Sequence, residues 1–443
     1  MQNRTSLWSL PAMALLALFS WPKGGFVVNG ALHESSGTAR HSASPTYAKD
    51  IAPLINARCV SCHRPGEVAP FSLIGFENAK LHASMIAAVT ESRRMPPWKA
   101  VHGYGEFRDE NRLTDGEIAL VKTWTKAGAP RGDRKQESKP PTFSSEWALG
   151  TPDLVVSQSK PFNLGAEGND VYRNFVIKTN FDKPTWVKAI DLKPGNKKIV
   201  HHMIAYLDDN GGAIKMEQQN HDGQEGYTSA GGGVGIIPSG LLGGWAPGLR
   251  PRYTPDGIAF KLNPHSTIVM QMHYHRSGKP EQDQTKLALY FAKEPITQQM
   301  DMFWAMDFGL KIPAAESAHK IVKEITLPMD ITFYAAMPHM HLLGRTMKAW
   351  FDLPDGKRIP YIYVNDWDFN WQLSYALAKP LSLPRGTKLH VEATYDNSSN
   401  NPRNPNSPPK TVTWGEQTTD EMFLLLSACT LDRTPKPVVK MSK

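Results

Sequence analysis

Cysteine is scarce: three residues in a chain of 443. Two of them, Cys59 and Cys62, fall in one pentapeptide, so disulfides are excluded as the framework of the fold. The third, Cys429 in MFLLLSACTL, reads as a buried apolar residue. A long hydrophobic run is also missing. The one apolar stretch near the start, LWSLPAMALLALFSW at residues 7–21, is interrupted by Pro11 and is short for a spanning helix. With Arg4 ahead of it, it predicts a secretory leader over residues 1–30, an exported, periplasmic protein and no stable membrane span; an uncleaved tether is the alternative. The formal charge of +8 is spread along the chain and ends in a basic tail, PKPVVKMSK, so no basic stripe argues for nucleic acid. The glycine-rich run SAGGGVGIIPSGLLGGWAPG, residues 229–248, lacks the strand-then-helix context of a phosphate cradle and reads as a long loop.

What is present is turn-forming residues, 35 Pro and 34 Gly, which favour many short strands. A chain of this length exceeds one ordinary core, and two or three domains are expected. Residues 47–130 read as helical, within a first domain expected over residues 44–130. Tyr47, Ile51, Leu54 and Ile55 share one helix face. In LTDGEIALVKTWTKAG, Thr114 and Glu117 are spaced as a capping box, Ile118, Val121 and Trp124 repeat on one side, and Gly128 stands where the helix should stop. The polar stretch beginning RGDRKQESKPP predicts a linker over residues 131–148. Beyond it, FVIKTN, TWVKAIDL, STIVMQMHYH, LALYF, ITFYAAM, KAWFDL, KLHVEATY and MFLLLSACTL read as strands with no convincing helix among them. That pattern predicts two antiparallel β-sandwiches, residues 149–293 and 294–435.

The strongest local signal is CVSCH, Cys59 to His63. In C-x-x-C-H the two thiols can form thioethers to haem vinyl groups while the histidine reaches the iron, so one covalent haem c is expected. Met95, in RRMPPW, is the candidate for the opposite iron ligand, held in a loop stiffened by two prolines; Met85 and His82 are rivals. Residues 47–130 resemble a class I cytochrome c, which implies a small all-α domain ahead of the sandwiches.

The β region carries a second set of ligand types. KIVHHMIAYL places His201 and His202 side by side, STIVMQMHYH offers His273 and His275, PHMHLLG places His339 and His341 two apart, and Met422 heads a strongly apolar strand. Two histidines two apart in a strand share a face, which suits one metal. No carboxylate follows the H-x-H pair closely, so a two-His-one-carboxylate iron site lacks its third member. Taken singly, each His or Met is more simply a packed side chain; their joint order changes the balance.

On these residues, residues 150–432 resemble the copper type II, ascorbate-dependent monooxygenases, the family of peptidylglycine α-hydroxylating monooxygenase and dopamine β-monooxygenase. VHHMIAYL, MQMHYH, HLLGR and TYDNS carry the likeness. The resemblance implies two mononuclear coppers: one on His201, His202 and His273, the other, which activates dioxygen, on His339, His341 and Met422. It implies that both neighbouring imidazoles bind one ion, through different ring nitrogens, and that the strand leaves regular geometry near His201. His275 is expected at the surface or beside the site. The whole then reads as a multidomain, jelly-roll-like monooxygenase. It would hydroxylate a C–H bond of a small substrate with dioxygen. Electrons would come from an unknown donor through a fused haem swinging on its linker, to the first copper and across a cleft. Where peptide-hydroxylating relatives carry an anchoring Arg, an Asn and a Tyr, this chain has Met337, Leu424 and Leu426, which implies a more apolar pocket. The rival readings are a non-enzymatic electron-transfer protein with a copper- or ligand-binding β module, and a zinc hydrolase on the same ligands.

Overall fold

A computed structural model describes residues 44–143, 147–229 and 233–432. The leader at 1–30 and the basic tail lie outside the described residues. The described chain is mostly β-sheet with few helices. Among the described residues, no helix is long and apolar enough to cross a membrane.

The helices are concentrated at the start. A π-turn at Tyr47–Ile51 runs into Ala52–Arg58, followed by Phe76–Leu81, Ala83–Glu91 and Asp115–Lys126. Tyr47, Ile51 and Ile55 are buried against Phe76, Val121 and Trp124, whereas Leu54 only borders that core. The capping box forms as expected: Glu117 donates its backbone N–H to Thr114 Oγ1 at 3.2 Å, and Thr114 donates its own to Glu117 Oε2 at 2.7 Å. Gly128 follows the helix at φ +83°, the left-handed position that ends it.

Two five-stranded sheets form the first β-sandwich. One is ordered Leu154–Ser157, Lys286–Phe291, Thr185–Lys193, Ile258–Leu262, Gln298–Gln299; the other Tyr227–Thr228, Val171–Lys178, Thr267–Tyr274, Val200–Asp208, Gly240–Trp245. Phe175, Met203 and Met270 from one sheet meet Val187, Leu192 and Leu289 from the other in a shared core. Side chains alternate across a strand. With Met203, Ala205 and Leu207 turned inward, His202, Ile204 and Tyr206 take the opposite face, and the register places His273 beside His202.

The second sandwich pairs two four-stranded sheets. Asp301–Met306, Leu424–Leu431, Ile331–His339 and Tyr375–Leu383 form one; His319–Thr326, Lys388–Tyr395, Gly344–Asp352 and Arg358–Val364 form the other. Phe333, Phe351, Tyr361, Val391 and Leu425 fill the space between them, and Cys429 is buried there as expected.

Three expectations change. The run 229–248 is not all loop, because Gly240–Trp245 pairs with the His201/His202 strand. Its glycines permit that pairing: a Cβ on Gly244 would lie 2.9 Å from the Met203 carbonyl oxygen. A short helix, Gly212–Gln218, also interrupts the strands. Nor is the helical segment tethered only by its linker. Residues 98–109 form a strap on the second sandwich, bridging Ala100 to Val364 and Phe107 to Leu377, with Trp98 and Phe107 packed on Tyr375. The described part of residues 131–148 lies along the helices, with Asn56 donating to Ser138 Oγ at 3.0 Å and Arg64 over Phe143. A polar, Pro-containing composition signals absence of regular structure, and it is silent on whether the segment is anchored.

Candidate metal centre

His201, His202 and His273 come together. The Val200–Asp208 strand slips register between Val200 and His202, a bulge that leaves His201 as the extra residue. The departure from regular strand geometry expected near His201 is therefore present. His201 Nδ1 lies 3.2 Å from His202 Nδ1, which lies 3.4 Å from His273 Nδ1. One ligand atom from each of the three falls within 4.8 Å of the others. The neighbouring histidines thus turn the same ring nitrogen inward, not different ones. Nitrogens bound tetrahedrally at 2.0–2.1 Å around one ion lie about 3.3 Å apart, so the spacing fits a metal. Neutral imidazoles cannot satisfy three converging nitrogens among themselves. Burial, with help from His273, pushes His201 down to about 3, and burial pushes His202 well below its ordinary value; both rings are held unprotonated, as ligands must be.

Asp170 was not legible in the sequence. Its Oδ2 lies 2.8 Å from His273 Nε2 and accepts from Thr418 Oγ1 at 2.9 Å, while Oδ1 lies 3.0 Å from His275 Nδ1. Burial alone would raise the carboxyl, but the bonds from His273 and Thr418 hold it well below the usual carboxylate range. With Nε2 occupied by Asp170, His273 keeps Nδ1 for the cluster. His275 is exposed, as expected, and shares this carboxylate. Such a partner typically changes metal affinity 10–100-fold, so Asp170→Asn should weaken metal binding at this cluster by about that factor in a competitive titration. An unchanged affinity would show that His273 needs no orienting carboxylate.

His339 ends the Ile331–His339 strand and His341 follows it, their rings 5.3 Å apart at 85°. Burial pushes His339 down to about 4 and His341 to about 3. His341 Nδ1 faces the Asp420 carbonyl at 3.2 Å, which leaves its other nitrogen for a ligand. Met422 is buried, lies just before the Leu424–Leu431 strand and lines the same cavity as both rings. Glu421 draws these parts together. Its carboxylate accepts the backbone N–H of His341, of Leu343 at 2.9 Å and of Met422 at 2.8 Å. Met337, Leu424 and Leu426 line the same cavity as Met422.

Comparison with known proteins adds only a loose likeness of form. No family model and no curated protein matches this chain. Among solved structures, it is similar to PNGF-II at 10% identity and TM-score 0.26, over 64% of this chain and 65% of that one. It is also similar to the cowpea mosaic virus top component at 7% identity and TM-score 0.27, over 61% of this chain and 94% of that one. Likenesses this low carry no argument about the site.

The cavity that reaches His202, His339, His341 and Met422, about 1840 Å³, extends to Cys59, Cys62, His63 and Met95. His63 Nδ1 faces the Phe71 carbonyl at 3.2 Å, leaving Nε2 available. Of the rivals to Met95, His82 stacks on Phe71 with ring centroids 4.0 Å apart, and its Nδ1 faces the Asn78 carbonyl at 2.9 Å. Met85 is exposed at 52% yet borders the cavity. Two thiols, an imidazole with Nε2 available and a thioether lining one cavity are the donor types that a haem joined through thioethers would use.

Proposed function

We propose that this chain is an exported, copper-dependent monooxygenase that hydroxylates a C–H bond of a small apolar substrate, fed with electrons through a haem c on Cys59 and Cys62. The observation that carries the reading is the convergence of three imidazole nitrogens at metal-ligand spacing, across one cavity from a His339/His341/Met422 group. Copper would supply one-electron redox and dioxygen chemistry at these two groups, and haem held by His63 and Met95 would supply the electrons. A thioether in the second group favours Cu(I) and argues against a zinc hydrolase.

The chain's own residues have definite tasks in this reading. Asp170 holds the proton of His273 on Nε2, so that Nδ1 turns toward the ion. Glu421 fixes the turn that bears His341 and the residue Met422 at one spacing. Met337, Leu424 and Leu426 receive an apolar group and exclude water from beside the second centre. Export is argued from the apolar leader at residues 7–21.

Metal and haem analysis of exported protein, followed by oxygen uptake with a panel of small alkyl and aryl compounds, tests the reading. Two coppers, one haem and substrate-dependent uptake are expected. Zinc in place of copper, or uptake indifferent to every compound, would overturn it.

A further inference from the structure

Phe369 touches both groups of ligands. Its ring stacks on His201 at 5.0 Å and 16° and meets His341 edge-on at 5.8 Å and 84°. The loop that carries it is fastened to the second group. Trp367 Nε1 donates to the His341 carbonyl at 3.0 Å, and Gln372, which lines the same cavity as His339, donates from Nε2 to the Phe369 carbonyl at 3.1 Å. Arg403 holds the Trp367 carbonyl at 2.8 Å. The loop is thus built from the second sandwich and ends in a ring laid on a histidine of the first.

Those two contacts taken end to end put the His201 and His341 rings within about 11 Å of one another, with the Phe369 ring in contact with both. Other ties between the sandwiches, among them Thr418 to Asp170 and Tyr172 Oη to the Glu416 carbonyl at 2.7 Å, bond to groups beside the imidazoles and not to the imidazoles of His201 or His341. A phenyl ring has few rotamers and resists compression, so it suits a spacer; a smaller side chain would leave a gap for the two groups to close or widen.

We propose that Phe369 is a positioning residue that sets the separation of the two metal centres. The proposal rests on the two-copper reading above, and the test distinguishes the two. Wild-type protein loaded with two cupric ions should give EPR lines broadened by the neighbouring spin, relative to a His339→Ala chain that holds one. In Phe369→Ala with both ions bound, that broadening should be lost or altered at least twofold, and Phe369→Tyr should restore it. Thermal melting and copper stoichiometry verify folding, and Phe369→Leu replaces the alanine variant if that one does not fold. Wild-type broadening retained in a doubly loaded Phe369→Ala or Phe369→Leu protein overturns the spacer role. A wild-type chain that takes fewer than two coppers overturns the two-copper reading, and this proposal with it.

Discussion

Replacing Glu421 with alanine should reduce unfolding free energy by about 3–5 kcal/mol and abolish metal binding at the His339/His341/Met422 group, leaving the His201 cluster loaded. The side chain is fully buried, which pushes its carboxyl up to about 8, and the group receives three backbone N–H groups that have no water to turn to. Each buried donor left without an acceptor costs about 1–3 kcal/mol, and neighbouring losses do not add in full. The same bonds hold His341 and Met422 to one carboxylate although 81 residues of chain separate them, so removing it frees the two ligands from each other. Glu421→Gln, which keeps the shape and one accepting oxygen, should cost less stability yet still impair the second site, because its amide NH₂ opposes backbone donors. Urea unfolding and copper stoichiometry report the two effects separately. A loss below about 1 kcal/mol would mean that the three amides find other partners.

Arg173→Met should destabilise the first sandwich by about 2–4 kcal/mol without changing the metal-ligand set. Arg173 is 1% exposed and bonds the Asp222 carboxylate together with the carbonyls of Gln224, Glu225 and Gly226. It fastens the 222–226 loop to the Val171–Lys178 strand, where Gly226 passes so close that a Cβ would sit 2.4 Å from the Asn174 carbonyl oxygen. The Arg173 hydrogen bond pulls Asp222 down to about 2. A carboxyl depressed on folding contributes stability that is present above its unfolded value, about 3.9, and is lost as pH falls through its folded value. Wild-type stability should therefore drop between about pH 4 and pH 2 by an amount that Arg173→Met no longer shows; parallel slopes in that window would rule out the assignment.

Much of the β architecture was legible because strand signals are local. KLHVEATY and ITFYAAM alternate or branch as sheets require, and both are strands. The bulge at His201 was legible for a different reason: the family resemblance implied two adjacent imidazoles on one ion, which is incompatible with strict alternation. What could not be read was anything fixed by tertiary approach. Asp170 lies 103 residues from His273 in an Asn-Asp loop with no pattern of its own. Phe369 stands in DWDFNWQ, where an aromatic residue has no period to mark it as facing a histidine. Which nitrogen each histidine turns inward depends on ring rotation, to which sequence is blind. The strap at 98–109 makes single bridges rather than a strand, too short to leave an alternation.

That strap bears on how the chain can be divided. Ala100 is sealed within the second core, and Val101 donates to the Tyr363 carbonyl at 2.8 Å as Arg108 does to that of Ala376. A truncation that begins after residue 130, where composition changes, would strip Trp98 and Phe107 from Tyr375 and uncover an aromatic patch prone to aggregation. The helical part and the second sandwich should accordingly melt together, and a soluble fragment carrying the imidazoles must retain the strap.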